Sequence, residues 1–261
     1  MKRLCLLASL ALAVPALVCA GTAEAQRRPT GQGGAEGGPP RRAYANPSAA
    51  IAADIAFSRL AQAKGRWAAF RETAAADAVM FVPQMVLAQP WLKNRANPAE
   101  PLTWQPHAAW ASCDGTLIVT NGAWQSGKAQ GWYTTIWQRQ PKGGYKWVFD
   151  HGAPADKAVE PPEMIEARTA ECPPRPAAGP APVPLANGKR GKPQAKPKPP
   201  PIVLDPAGRS GRSNDGSLTW EVKTDPGGAH HLTASMRVNG AMTAFRDEKA
   251  SPEQKTNLAG S

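Results

Sequence analysis

The sequence has few of the residues from which metal sites and nucleophile sites are built. It contains four cysteines and four histidines in 261 residues, and none of them shows C-x-x-C or H-E-x-x-H spacing. His230 and His231 are neighbours in a predicted strand, where they point to opposite faces and cannot readily share a metal. G-x-S-x-G is absent, and the glycines of 31–38 lack the strand and the Lys-Ser/Thr of a phosphate loop. No metal and no cofactor are therefore predicted.

The sequence also lacks an apolar run long enough to span a bilayer. Leu4–Val18 holds about 15 residues after two basic ones, whereas a spanning helix needs roughly 20. With the small residues that end at Ala25, residues 1–25 are typical of a signal peptide cleaved before Gln26. The alternative is lipoprotein processing at Cys19. A periplasmic or secreted protein with no transmembrane segment after cleavage is expected.

Positive charge is scarce in the parts of the chain that can fold. The net charge is +11, of which residues 26–43 carry +3 and residues 173–201 carry +6. The first of these segments is rich in Gly and Pro and predicts a disordered leader, and 173–202 predicts an extended basic Pro-rich linker. Because 44–172 is close to neutral, no nucleic-acid partner is predicted. The linker suits contact with an anionic envelope polymer or, alternatively, a solubilising spacer.

Export leaves only Cys113 and Cys172 in the mature chain. A pair of cysteines in an oxidising compartment predicts a disulfide. It would close a loop of about 60 residues and stabilise the fold by roughly 4 kcal/mol in the chain-entropy model. The alternative is two buried thiols.

Helical spacing comes first in the predicted body, which spans 44–172. The apolar stripe of the first helix is predicted to contain Ala49, Ala53, Ala56, Leu60, Ala63 and Trp67. Gly65 interrupts this helix, and a second continues to about Ala76. Residues 78–82 predict a buried strand, 84–89 a short partner strand, and 91–96 a brief helix after Pro90.

Strand patterns follow the helices. Period-two alternation begins at Leu102, and three more strands are predicted over 116–124, 131–140 and 145–151, joined by Gly-bearing turns. Five of the nine tryptophans lie between Trp110 and Gly152. Helices followed by an antiparallel sheet predict an α+β body, and 160–172 predicts a last short helix with Met164 facing the body.

The C-terminal part predicts a small three-stranded β meander within 203–248, followed by a disordered tail over 249–261. Its strands alternate around Leu218–Val222 and Leu232–Val238, and Asn239-Gly240 is a two-residue hairpin signal. About 30 residues have little core of their own. The meander is therefore expected to dock on the main body or on a second subunit.

Five segments of the body resemble the nuclear-transport-factor-2-like family, of the SnoaL-like, domain-of-unknown-function-4440 type. They are ADIAF, AAFRETAAADAVMF, CDGTLIVTNGAW, GWYTTIWQRQ and GYKWVFDHG, within Pro47–Gly152. The resemblance implies a curved sheet wrapped on helices into a cone with an internal cavity, and a homodimer. It implies no single reaction, because that superfamily contains isomerases, dehydratases, cyclases and members with no known activity.

Most candidate site residues lie on the predicted sheet. Asp150-His151 ends the last strand, and since strand neighbours face opposite ways, only one of the two is expected to line the cavity. His151 at the cone mouth could act as an acid or base; the alternative is a structural histidine bonded to backbone, with Asp150 capping a turn. His107 is assigned to the surface rather than to a ligand. The predicted ligand-binding rings are Trp91, Trp110, Tyr133, Trp137 and Trp147; the alternative is that the tryptophans are core residues where the helices cover the sheet.

These residues favour non-catalytic binding of a small apolar ligand in an aromatic cavity. The alternatives are a lyase or isomerase that uses His151, and an envelope interaction protein that acts through the linker. Isomerases of the resembled superfamily carry an acid beside a tyrosine. Tyr133 is present, but no acid can be placed opposite it from the sequence, which counts against isomerase activity.

Overall fold

The computed structural model describes residues 45–173 and 203–251. The predicted signal peptide with its cleavage site at Ala25 and Gln26, the leader, most of the linker and the end of the tail lie outside the described residues. The described part contains no helix long and apolar enough to cross a membrane.

The main body is mixed α+β, with three helices and one large sheet. The helices are α1 (Pro47–Lys64), α2 (Arg66–Thr73) and α3 (Ala88–Leu92), and the strands of the large sheet are β1 (Ala74–Phe81), β2 (Met85–Leu87), β3 (Thr103–Ala111), β4 (Leu117–Ser126), β5 (Ala129–Arg139), β6 (Tyr145–Pro154) and β7 (Glu166–Thr169). The seven strands lie in the order β2-β1-β6-β5-β4-β3-β7. The sheet is mixed rather than antiparallel as predicted, because β1 pairs parallel with β6 and β7 parallel with β3.

The helix pair forms where the sequence places it, but its buried face is different. The Asn46 side chain accepts a hydrogen bond from the Ser48 N–H and caps α1, and Gly65 separates α1 from α2 at a φ of 92° that favours glycine. The predicted stripe is wrong by one position, since its members Ala49, Ala56 and Ala63 are exposed. The residues of α1 that are buried are Ala50, Asp54, Phe57, Ser58 and Ala61.

A second, four-stranded sheet is formed by β8 (Gly208–Arg212), β9 (Leu218–Thr224), β10 (His230–Val238) and β11 (Ala241–Ala250), in the order β11-β10-β9-β8. It contains one strand more than the predicted meander, because Gly208–Arg212 pairs with β9. Phe149 contacts Trp220 with ring centroids 5.2 Å apart, and Trp110 stacks on Phe245 at 4.9 Å. The small sheet therefore packs on the face of the large sheet opposite the helices, and both sheets share one hydrophobic core.

The predicted helix over 160–172 is wrong. Residues Glu166–Thr169 form β7 on the edge of β3, and Met164, expected to face the body, is 79% exposed. The backbone N–H of Ala170 continues this pairing by donating to the Ala111 carbonyl. The predicted disulfide between Cys113 and Cys172 is present, and it holds this segment beside the end of β3.

Candidate functional site

An aromatic cavity of about 80 Å³ lies between the helices and the large sheet. It is large enough for several water molecules, or for a small ring in their place. Most of its wall is apolar, and its aromatic side chains are Phe57, Trp67, Phe70, Phe81, Trp104 and Trp124, with the ring of Tyr133. Four polar side chains interrupt this wall: Arg66, Tyr133, Asp150 and His151. A mostly apolar hollow with a few polar groups is the usual form of a small-molecule site.

The acid that the sequence did not place opposite Tyr133 is Asp54, on helix α1. The Tyr133 hydroxyl donates to Asp54 Oδ2 at 3.0 Å, and the Trp104 indole N–H donates to Asp54 Oδ1 at 2.8 Å. Burial raises the pKa of Asp54 to about 6, although hydrogen bonds from Thr120, Trp104 and Tyr133 oppose the shift. Burial and the nearby Asp54 charge hold the pKa of Tyr133 well above its usual value. Tyr133 therefore links the cavity wall to a buried carboxyl behind it.

A second carboxyl, that of Asp150, borders the cavity directly. It is half-buried on β6, and the Thr135 hydroxyl donates to its Oδ2 at 2.6 Å. Burial raises the pKa of Asp150 to about 7; the Thr135 hydrogen bond lowers it, and the Asp54 charge raises it further. Near neutral pH this carboxyl is therefore divided between its protonated and ionised forms.

His151 also borders the cavity, but its ring is held by the small sheet. His151 Nδ1 lies 3.0 Å from Nε2 of His230, and His151 Nε2 lies 3.0 Å from Oε2 of Glu248. Both ring nitrogens thus have side-chain partners, not the backbone partner of the structural alternative. Asp150 in turn lies within a strand and caps no turn. Asp150 and His151 both line the cavity, so the expectation that only one of them does is wrong. β1 pairs with β6 only as far as Asp150, and the edge of β6 beside His151 and Gly152 is therefore open to the cavity.

The structure places most of the predicted ligand-binding rings away from the cavity. Tyr133 lines it, whereas Trp137 and Trp147 are fully buried core residues whose indole N–H groups donate to Thr120 and Thr73. Their rings face the helices and are covered by them.

The other two predicted rings also lie away from the cavity. Trp110 is buried on the opposite face of the sheet, where Phe245 stacks on its ring and the Arg246 guanidinium lies over it. Trp91 packs on Trp67 and on Arg95 at the outside of α3. His107 borders a separate surface groove, and burial lowers its pKa.

The residues that sequence reasoning missed are Asp54, Arg66 and Thr135. Asp54 carried a usable signal, since it is the single acidic residue of α1 and stands among alanines and isoleucines. Arg66 follows the helix-breaking Gly65 and gave no such signal. Within 45–173 and 203–251, no group of three or more His, Cys, Asp or Glu side chains is arranged to hold a metal ion.

Comparison with known proteins adds little to this geometry. No family model matches the chain, and no curated protein matches it. One similar solved structure is a crystal structure from Parabacteroides distasonis ATCC 8503, provisionally described as a ketosteroid isomerase; it has a TM-score of 0.34 and 14% identity, over 44% of this chain and 98% of that chain. The function proposed below rests on the geometry of the cavity alone.

Proposed function

We propose that the aromatic cavity binds a small apolar molecule that carries one hydrogen-bonding group. The observation that carries the proposal is a wall of aromatic side chains with the carboxyl of Asp150 set into it. The surrounding helices and curved sheet would form the cone that the family resemblance implies. Apolar walls supply most of the binding free energy of such a site, and the few polar groups orient the ligand.

Asp150 and Tyr133 suit an oxygen-bearing ligand. When protonated, Asp150 can donate to a ligand carbonyl, and when ionised it can accept from a ligand hydroxyl. The Tyr133 proton is directed at Asp54, so its oxygen offers an acceptor to the cavity. The ligand class is therefore a small cyclic ketone, alcohol or phenol.

A second candidate function is proton transfer by a lyase or isomerase, with Asp150 rather than His151 as the acid or base. It is favoured by the pKa of about 7 for Asp150 and of about 6 for Asp54, because a general acid or base works best near the operating pH. His151 is bonded through both ring nitrogens, so Asp150 is the better placed group.

Ligand binding can be tested by tryptophan fluorescence, because Trp67, Trp104 and Trp124 line the cavity. Benzene, phenol, cyclohexanone and 2-naphthol are titrated into the protein and into Val82→Phe, which fills the cavity. Val203→Phe, at a site that is 86% exposed, is the matched control. We expect saturable binding that falls at least tenfold in Val82→Phe and not in Val203→Phe. Absence of binding across the panel, or equal binding by Val82→Phe, would contradict the proposal.

The second candidate is separated from the first by Asp150→Asn. Once a turned-over substrate is found, this change is expected to lower kcat by about 10² to 10⁴ while binding is retained. Unchanged turnover would exclude Asp150 as the acid or base. The turnover of His151→Ala is measured for comparison, because the sequence predicts His151 as the acid or base.

Export to the periplasm or medium, a homodimer and contact of the linker with an anionic envelope polymer remain proposals. The disulfide supports export, because structural disulfides persist in oxidising compartments. Envelope association that is unchanged by moderate salt, or by deletion of 173–201, would exclude the linker contact.

A further inference from the structure

A polar groove of about 290 Å³ lies where the first half of β3 meets the segment that leads from β6 to β7. This volume is close to the lower limit of about 300 Å³ for small-molecule sites. Trp104 and Trp124 line both the groove and the aromatic cavity. The polar side chains of the groove alternate with them along β3 and β4 and therefore belong to the opposite face of the sheet. They are Thr103, Gln105, His107, Gln125 and Gln130.

Strand register gathers three of these amides on one face. Thr103 pairs with Gln125, and Gln125 with Gln130; in the next row Gln105 pairs with Ala123. Residues directly opposite each other on paired strands project to the same side. Because Ala123 has the smallest side chain of this group, it forms a low floor between the amides.

An aromatic ring and free amide groups border this floor. Trp132 pairs with Ala123 and is half-buried. Within 45–173 and 203–251, the side chains of Gln105 and Gln130 bond no protein group, and Gln125 Nε2 donates to the Gly127 carbonyl at 3.4 Å, beyond the usual range of about 2.7–3.2 Å. Each amide offers an acceptor oxygen and two N–H donors, which suits a pair of neighbouring hydroxyl groups.

The lining of the groove is uncharged. Among the described residues no Asp, Glu, Lys or Arg side chain lines it, and burial lowers the pKa of His107, so this ring is neutral at pH 7. Asp156, Lys157 and Glu160 of the adjacent segment are exposed to solvent instead. A charged ligand would lose hydration here without gaining an ion pair, whereas neutral hydroxyl groups would gain amide partners.

The edge of β3 disfavours a peptide that joins the sheet as a further strand. β7 pairs only with Ala108–Ala111, so Thr103–His107 has no strand partner on that side. Ser58 occupies both backbone groups of Trp104, donating to the carbonyl at 2.9 Å and accepting from the N–H at 3.3 Å, and Pro106 has no N–H. An added strand needs such groups free.

We propose that this groove binds a neutral saccharide, with the amides of Gln105, Gln125 and Gln130 on its hydroxyl groups and Trp132 against its ring. A sugar combines hydroxyl groups with an apolar C–H face, which can pack on an aromatic ring. The proposal does not depend on the function of the aromatic cavity, because the amides lie on the other face of the sheet.

The test follows the amide signals of isotope-labelled protein by nuclear magnetic resonance during titration with glucose, maltose, cellobiose and diacetylchitobiose. At least one sugar is expected to shift the side-chain signals of Gln105, Gln125 and Gln130 in a saturable way. The signal of Gln140, whose amide donates to the Gln138 carbonyl after β5, is the control and should not shift. Glucuronate and glucosamine, the charged relatives of glucose, are expected to bind at least fivefold more weakly than the best neutral sugar.

The double change Gln105→Ala and Gln125→Ala removes two amides from exposed positions and is expected to lower the affinity for that sugar at least tenfold. Gln140→Ala is the matched control and should bind as wild type. Absence of a saturable shift with every sugar, tighter binding of glucuronate or glucosamine, or full affinity in the double variant would overturn the proposal. Because the titration uses the unaltered protein, it decides the question even where the double variant does not fold.

Discussion

At the scale of single residues, the interior contains buried polar side chains at positions that the sequence pattern assigns to the apolar core or to solvent. Asp54 and Ser58 lie on the buried face of α1, and each has a partner on β3: Trp104 donates its indole N–H to Asp54, and the Ser58 hydroxyl donates to the Trp104 carbonyl. Buried polar groups are tolerated when they are hydrogen-bonded. The helix thus contacts the sheet through these bonds as well as through apolar area.

The raised pKa of Asp150 predicts how stability depends on pH. Its folded pKa of about 7 exceeds the usual value of 3.8, so the folded state binds more protons than the unfolded state between these values. The free energy of unfolding therefore falls as pH rises from about 4 to 7. Asp150→Asn removes the titrating carboxyl and with it this loss of stability. We therefore expect the free energy of unfolding of Asp150→Asn, relative to wild type, to increase between pH 5 and pH 8 by about 2 kcal/mol, after allowance for the half-buried position.

Urea unfolding of both proteins at pH 5 and pH 8 measures this difference. The exposed Asp156→Asn provides the control and is expected to show no pH-dependent gain. Glu248 does not interfere in this range: burial would raise its pKa, but the hydrogen bond and charge of His151, and the charge of Arg246, lower it. Its contribution is therefore lost only in stronger acid. A constant difference between Asp150→Asn and wild type would contradict the assignment.

At this scale the sequence predicts an aromatic cavity but not most of the residues that line it. Tyr133 is predicted from the alternation of β5 and lines the cavity, whereas the ring of His151 is held by the small sheet. Asp54 is missed because a one-position error in the helical stripe turns a buried residue into an exposed one. Trp137 and Trp147 are misassigned because alternation identifies a face, whereas the distance from the covering helices decides which residues of that face line a cavity.

At the scale of elements, the two sheets are joined by a duplicated turn. Residues 112–117 read SCDGTL and residues 213–218 read SNDGSL. In each turn the serine hydroxyl donates to Oδ1 of the aspartate at 2.7 Å, and the glycine adopts a positive φ, 66° at Gly115 and 68° at Gly216. The two turns therefore have the same local structure.

The duplicated turns bind each other reciprocally. The Asp114 N–H donates to Asp215 Oδ2 at 3.0 Å, and the Asp215 N–H donates to Asp114 Oδ2 at 2.9 Å. The hydroxyls of Ser217 and Thr116 accept from the N–H groups of Cys113 and Asn214 in the same reciprocal way. Such an exchange is the pattern of a two-fold interface, here formed within one chain.

We expect the reciprocal turns to be energetically coupled. Asp114→Ala and Asp215→Ala each break one half of the exchange, and the double variant should lose at least about 0.5 kcal/mol less than the sum of the two single losses. Chemical denaturation measures the three variants. Asp225→Ala is the matched control, since Asp225 accepts the Ala229 N–H within its own turn; combined with Asp114→Ala it should be additive. Additivity of Asp114→Ala with Asp215→Ala would show that the turns act independently.

The prediction of helices and strands fails where a segment pairs with the free edge of a strand. Residues 160–172 have helical spacing, yet the free edge of β3 offers backbone partners that a short helix after Pro161-Pro162 cannot match. The mixed sheet has a similar origin. After β6 the chain returns to the edge of β3, where β7 pairs in parallel, and β1 pairs in parallel with β6. Sequence periodicity contains no information on such long-range pairing.

At the scale of the whole molecule, the large sheet is covered on both faces, by helices on one and by the chain's own small sheet on the other. Glu248 on β11 accepts from the Thr134 hydroxyl at 3.1 Å on β5, and Arg209 on β8 pairs with Asp77 on β1 at 2.6 Å. Docking on the main body, one of the two positions expected for the C-terminal strands, is thus the one that the structure shows. The small sheet also holds His151, so the order of the cavity depends on it.

The disulfide lies where these parts of the molecule meet. Cys113 follows β3, and its N–H donates to Ser217 of the small sheet at 2.8 Å. Cys172 follows β7, beside Glu171, whose carboxylate accepts the Gly240 N–H at 2.9 Å. Opening the Cys113–Cys172 bond therefore frees β7 at its end and loosens the contact of both sheets.

We expect the double change Cys113→Ala and Cys172→Ala to lower the free energy of unfolding by about 4 kcal/mol, the chain-entropy value for a loop of this length. The denaturation midpoint of the wild-type chain should fall to a similar extent in reductant, while that of the double variant should not respond to reductant. Because Glu171, next to Cys172, bonds the 239–240 hairpin and the Arg237 carbonyl, backbone amides of β7 should also exchange with solvent faster than those of β5 in the double variant. A wild-type midpoint that is insensitive to reductant would mean that hydrogen bonds and apolar packing alone hold the two sheets together.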